Sequence, residues 1–232
     1  MNKTTPPKSV SPLPFQTPGE ETANSILHGI GALLAAGGLV LLVLKAGAVH
    51  GQAYLGGAVK DSGGFTFAAY IIFASAMTGM FLASTLYHAI RHQGAKRVFR
   101  VLDHAAIYAF IAGTYTPVCL LGLKGAWGWA IFSLEWALGI TGIVLYAAGC
   151  RWVKKAELLI HLIMGWVIAI GWFPLIRGTP MISIILLLSG GAAYSLGTIW
   201  YSMKNRRGAH VIWHVFVLAG AVCHWWAVWF LS

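Results

Sequence analysis

Seven apolar runs, each near the roughly 20 residues that cross a hydrocarbon core, constrain this chain more than any other feature. They lie at about 26–44, 67–90, 103–123, 127–149, 156–174, 181–203 and 210–231. Backbone groups in lipid must be satisfied within their own segment, and runs this long exclude barrel strands, so each is expected to be a helix. The chain is therefore read as an all-α integral membrane protein, a seven-transmembrane helix bundle. Its composition agrees: 58% of residues are hydrophobic and 9% are charged, about a third of the charged share in a soluble domain.

The first 20 residues hold five of the eight prolines and too little apolar content to pack, so residues 1–20 read as a flexible arm and 21–232 as the seven-span domain. Ala46-Gly-Ala-Val-His-Gly-Gln-Ala53 resembles a signal cleavage site. The preceding run from Ile26 to Leu44 is longer than a signal core, however, and follows a polar arm, which favours an uncleaved span.

The net charge of +10 does not indicate a nucleic-acid partner, because the basic residues fall between apolar runs rather than in one patch with interleaved aromatics. Arg91, Lys96, Arg97 and Arg100 lie between spans two and three, Arg151, Lys154 and Lys155 between four and five, and Lys204, Arg206 and Arg207 between six and seven. Lys3 and Lys8 of the arm share that side, against Lys45, Lys60, Lys124 and Arg177 on the other. The positive-inside rule then places the N-terminus in the cytoplasm and the C-terminus outside.

Cys119, Cys150 and Cys223 stand far apart and read as packing residues rather than a disulfide or zinc framework. The pairs Gly37-Gly38, Gly190-Gly191 and Gly139-x-x-Gly142 suit close helix approach. Pro117 is expected to kink the third span, while Pro174 and Pro180 bracket a short outer loop. No transporter-type internal repeat is evident.

With the topology set, the ionisable residues can be placed by depth. His210-Val-Ile-Trp-His214 stacks two imidazoles on one helix face at the start of span seven. Ser84 and His88 fall in the last turns of span two, Asp103 and His104 begin span three, and Glu21, Asn24 and His28 begin span one. Residues distant in sequence thus converge on one leaflet, where an intramembrane carboxylate is by default functional. Histidines at i, i+4 suit metal chelation, although the pair alone could equally bond to neighbouring helices. Ser84 alone reads as a back-bond to its helix carbonyl, and Asn24 can cap span one. His104 lies on a different face from Asp103 and reads as packing or interfacial. His161 could approach the same cavity, His224 reads as a helix–helix bond, and Glu135 has no partner that the sequence names.

Glu21-x-x-Asn24-x-x-x-His28, Ser84-x-x-x-His88 followed by Asp103, and His210-x-x-x-His214, together with Ala112-Gly-Thr-Tyr-Thr-Pro117 and Phe216-Val-Leu-Ala-Gly220, resemble the hemolysin III family within the progestin and adipoQ receptor superfamily. The likeness runs from Glu21 to Trp229, and the short arm and minimal loops suit a bacterial branch in the cell (inner) membrane. The resemblance implies a zinc ion near the cytoplasmic face, held by His88, His210 and His214, with Ser84 and Asp103 beside its water. A more distant likeness to membrane ceramidases implies hydrolysis of a lipid amide or ester.

Three imidazoles and one water make an open, catalytic-type zinc site, and zinc makes hydroxide available near neutral pH. Asp103 would take the water proton, Ser84 would hold Asp103 or the polarised carbonyl, and Glu21, Asn24 and His28 would close the cavity floor. Membrane lipids are the expected partners, with a substrate entering from the inner leaflet. Two other readings stand beside this one: a receptor or regulator of membrane state with a structural zinc, and a cytolytic pore. Few charged residues line the spans, and they gather on one side, which argues against an ion path.

Overall fold

Thr17 and Glu20 set the start of the first helix. Thr17 Oγ1 accepts from the Glu20 backbone N–H at 3.3 Å, and Glu20 Oε2 accepts from the Thr17 N–H at 2.8 Å. This reciprocal capping box, with proline at the first helical position, opens α1 (Pro18–Leu55). The computed structural model describes residues 16–55, 63–203 and 205–231. Most of the proposed arm lies outside these residues, and α1 begins within its last few positions. Asn24 is therefore an interior helical residue and does not cap the span.

The remaining helices are α2 (Gly63–Ala89), α3 (Gln93–Pro117), α4 (Gly125–Ala147), α5 (Arg151–Trp166), α6 (Trp172–Gly178), α7 (Met181–Ser202) and α8 (Ala209–Trp229). A π-helical segment, Val118–Leu123, prolongs α3, and a 3₁₀ segment, Val167–Gly171, joins α5 to α6. Seven stretches are thus long and apolar enough to cross a membrane, and among the described residues there is no strand.

Several boundaries differ from those expected. The third helix starts at Gln93, ten residues before Asp103, so Lys96, Arg97 and Arg100 are helical rather than loop residues. An apolar run measures hydrocarbon thickness, whereas a helix continues into the head-group region when its charged side chains can reach water. Pro174 is the third residue of α6 rather than a loop bracket; in a first turn its missing N–H has no intrahelical partner to lose. Pro180 does cap α7. Pro117 is followed at once by the π-helical turns.

Successive helices α1 to α4 pack side by side, α8 returns against α1, α7 lies on α8, and α5 closes the circuit against α3, α4 and α7. The third span is the central one, with 72% of its most apolar window buried against 39% or less for every other span. Outward faces are apolar, as at Leu33, Ile140, Ile170 and Phe173, which suits lipid and not water. Gly142 of α4 lets Tyr108 of α3 approach so closely that a Cβ there would sit 2.3 Å from the ring. This is the close packing that glycine in a span permits.

Tyr115 shows how the break in the fifth span is tolerated. Its hydroxyl donates to Gly165 O at 3.0 Å and accepts from Ile168 N at 2.9 Å. One phenol thus supplies both partners that the change from α-helix to 3₁₀ geometry releases. Tyr115→Phe is expected to cost about 2–4 kcal/mol, because two backbone groups within a membrane span lose their partner. The test is the Tm of detergent-purified protein; an unchanged Tm would show that the break satisfies itself.

Candidate metal centre

The site forms where α1, α2, α3 and α8 meet at one end of the bundle, and its assembly begins with two consecutive acids. Glu20 Oε1 accepts from the Gly208 backbone N–H. Gly208 caps α8 in a left-handed conformation (φ 74°), so this bond ties the start of α1 to the start of α8. Glu21 faces the opposite way, towards α2 and α3. Its Oε2 lies 2.8 Å from His88 Nδ1 and its Oε1 lies 3.0 Å from Lys96 Nζ.

Lys96 is buried, donates to Tyr87 O at 2.9 Å and sits over the Tyr87 ring. Its charge therefore holds Glu21 rather than marking a loop. With Nδ1–H donated to the Glu21 carboxylate, His88 presents Nε2 as a lone pair, and that buried nitrogen has no partner among the described residues. A carboxylate behind an imidazole is the usual support of a metal-binding histidine.

His210 and His214 stand on the first turns of α8. Their Nε2 atoms are 2.9 Å apart, and the His88 ring lies 5.3 and 4.9 Å from theirs, centre to centre. One nitrogen from each of the three residues falls within 4.8 Å of the others. Tetrahedral zinc with Zn–N near 2.0–2.1 Å would space its nitrogens about 3.3 Å apart, so small side-chain adjustments accommodate an ion. The orphaned, buried Nε2 of His88 and the all-imidazole donor set fit a borderline-soft divalent metal.

Ser84, one turn before His88, is buried and its hydroxyl bonds to the Asp103 carboxylate. It does more than the back-bond expected of it. Both residues, with His210 and His214, line a cavity of about 560 Å³ whose walls continue into apolar side chains such as Ile107, Phe110 and Val217. His28 joins them, edge-on to Phe81 and 3.7 Å from the His214 ring centre, with neither nitrogen partnered among the described residues. Glu21 and Asn24 do not form the cavity floor. Glu21 acts from behind His88, and Asn24 is fully buried with Nδ2 donating to Gln16 Oε1 at 2.9 Å.

A second polar group on the cavity wall centres on Glu157, which the sequence reading passed over. It accepts from Tyr201 Oη at 2.8 Å, and its Oε2 lies 3.2 Å from His104 Nδ1. His104 also stacks on Tyr146, so it lines the same cavity as Asp103 rather than facing away. His161 reaches the cavity, edge-on to Tyr108. The available signal was scarcity: only six acids occur in 232 residues, and Glu157-x-x-x-His161 shares one helix face. His224 bonds to Leu187 O at 3.2 Å across α7 and α8. Glu135 is fully buried, with no hydrogen-bond partner for either oxygen among the described residues.

The fold and this site define a multi-pass membrane protein of seven helices with a buried trihistidine cluster able to hold a metal. The family model described as haemolysin-III related matches residues 16–225, and the chain belongs to that family. It is 39% identical over 211 residues to hemolysin-3 of Bacillus cereus, covering 91% of each chain. It is also 39% identical to the hemolysin-3 homolog of Bacillus subtilis (strain 168), covering 91% of this chain and 93% of that one. The human monocyte to macrophage differentiation factor is 26% identical over 167 residues, 68% of each.

If the triad holds a divalent metal, Glu21→Gln is expected to weaken its binding by roughly 10–100-fold, the usual effect of losing a supporting carboxylate. Competition with a chelator measures it. An unchanged affinity would remove Glu21 from any role at the centre.

Proposed function

We propose that this protein is a zinc-dependent hydrolase of a membrane lipid amide or ester, working at the end of the bundle that carries the basic residues and faces the cytoplasm. One observation carries the reading: three converging imidazoles adjoin a serine–aspartate pair within a cavity walled in part by apolar side chains such as Ile107, Phe110 and Val217. Only three ligand atoms group together among the described residues, which favours an open, catalytic arrangement over a closed structural one. Zinc at the triad would supply Lewis acidity and a water acidic enough to be a nucleophile near neutral pH.

The chain's own residues have distinct tasks. Glu21 fixes the His88 tautomer and ring orientation, and Lys96 keeps Glu21 in place. Asp103 takes the proton of the attacking water at its carboxylate and returns it to the leaving nitrogen or oxygen. Ser84 holds Asp103 in the rotamer that this requires. The apolar wall receives an acyl chain and excludes bulk water, which strengthens every charge interaction inside. Hydrolysis forms a bond from the water oxygen to the acyl carbon and breaks the bond from that carbon to nitrogen or oxygen.

Metal analysis of purified protein should show zinc that is lost in the His210→Ala/His214→Ala variant; equal stoichiometry in both would end the metal assignment. The zinc-loaded protein should release fatty acid from a panel of ceramides, acyl amides and phospholipids, and Asp103→Ala should lower the rate at least 100-fold, the lower range for a lost general base. Absence of release from any of these lipids would leave a receptor with a structural zinc as the better reading.

A further inference from the structure

Four cations line the cavity together with the chemical groups: Arg97 and Arg100 of α3, Lys154 of α5, and Arg206 in the turn before α8. Three of the chain's acids, Glu20, Asp103 and Glu157, line it as well. The cations do not pair with them. Among the described residues, the only carboxylate partners within ion-pair distance are those of His88, Lys96 and His104. The acids accept instead from Gly208 and Thr17, from Ser84, and from Tyr201. The cavity therefore carries four positive charges with no carboxylate partner among the described residues, three of them exposed and Arg100 half-buried, although Lys154 Nζ also lies over the Tyr146 ring.

Their positions form a pattern. Arg100 precedes Asp103 by three residues, Lys154 precedes Glu157 by three, and Arg206 precedes His210 by four. Arg100 and Lys154 thus each lie about one helical turn, roughly 5 Å, nearer the bundle end than the group that lines the interior, and Arg206 stands in the turn just before α8. A general excess of positive charge near a membrane surface explains basic residues at this end. It does not explain why Arg97, Arg100, Lys154 and Arg206 border the cavity while Arg91, Arg151 and Lys155 do not.

We propose that the cavity takes an anionic glycerophospholipid, its phosphate held by Arg97, Arg100, Lys154 and Arg206 and its acyl chain against the apolar wall. This rests on the hydrolase reading and narrows its substrate to a carboxylic ester. In such a lipid the phosphorus and the nearer ester carbonyl carbon are five bonds apart, roughly 5–6 Å at ordinary bond lengths. That matches the one-turn offset from Arg100 to Asp103, so a phosphate at the cations brings the ester level with Asp103. A neutral ceramide has no group to satisfy the cations, and guanidinium forks suit phosphate oxygens. Hydrolysis would join the water oxygen to the acyl carbon, break the acyl carbon–glycerol oxygen bond, place one water proton on that oxygen and release the other from the fatty acid.

The test is binding to full-length protein in maltoside detergent, carried out in the Asp103→Ala background so that turnover is not needed. Trp166 and Trp213 line the cavity and report occupancy by fluorescence. The probes are dioctanoyl phosphatidylglycerol, dioctanoyl phosphatidylcholine, an octanoyl ceramide and inorganic phosphate. Phosphatidylglycerol should bind at least tenfold tighter than the other three. Arg97→Gln/Arg100→Gln should weaken it by roughly tenfold or more, as expected for lost charge-assisted bonds, whereas Arg91→Gln/Lys155→Gln should change it less than twofold.

Lys154→Gln/Arg206→Gln gives the same test from other segments if the first pair fails to fold. Equal binding of phosphatidylglycerol and phosphatidylcholine, or equal loss in the Arg91/Lys155 control, would overturn the assignment. Binding of inorganic phosphate as tight as that of the lipid would make this a free-phosphate site instead. Selective binding without turnover by the unsubstituted protein would sink the hydrolase and leave the lipid site; turnover of ceramide without selective binding would do the reverse.

Discussion

A polar group inside a membrane bundle has no bulk water to turn to, and the arrangement of this protein follows from how that demand is met. Where a helix breaks, Tyr115 supplies both missing partners. Three of the acids meet donors from other helices, Glu20 from the start of α8, Glu21 from α2 and α3, and Glu157 from α3 and α7, whereas buried Glu135 has no hydrogen-bond partner among the described residues. Unpartnered nitrogens of His28, His88 and His214 meet in one place, and others stand apart from them on His161, His224 and Trp225. A buried polar cluster left incomplete by the protein is one that a ligand can complete.

The support behind the triad extends well beyond its ligands. Glu21 and Lys96 restrain His88, the Glu20 bond to Gly208 holds α8 against α1, and the His28 ring lies against His214. Most of these contacts join residues more than 60 positions apart, so the geometry of the centre depends on the whole bundle rather than on any one helix. The same end carries the cavity and the four cations that border it.

Much of this was legible in the chain. Hydropathy runs gave the count of seven spans, because a hydrocarbon layer imposes a length that composition records directly. Alternation of direction then sorted residues by depth, which is why His88, Asp103, His210 and His214 could be assigned to one end before any contact was known. Spacings of four linked Ser84 to His88 and His210 to His214 through the pitch of the helix alone. The misreadings came where that logic stops. Lys96 looked like a loop residue because an apolar run understates the helix, and Asn24 looked like a cap because the real one, Thr17, lay in a stretch taken for an arm.

Sequence alone therefore determined the number of spans, their order and the end of the bundle at which the clustered polar groups lie, since these depend on transfer energies and on the periodicity of one segment. Only the tertiary structure decided which groups face each other. That Glu21 stands behind His88, that Ser84 bonds to Asp103, that Glu157 gathers His104 and Tyr201, and that four cations border one cavity all depend on how each helix is rotated and tilted against its neighbours. Those angles are set by packing of small and aromatic side chains between helices, such as Gly142 against Tyr108, a pairwise property that no single segment contains.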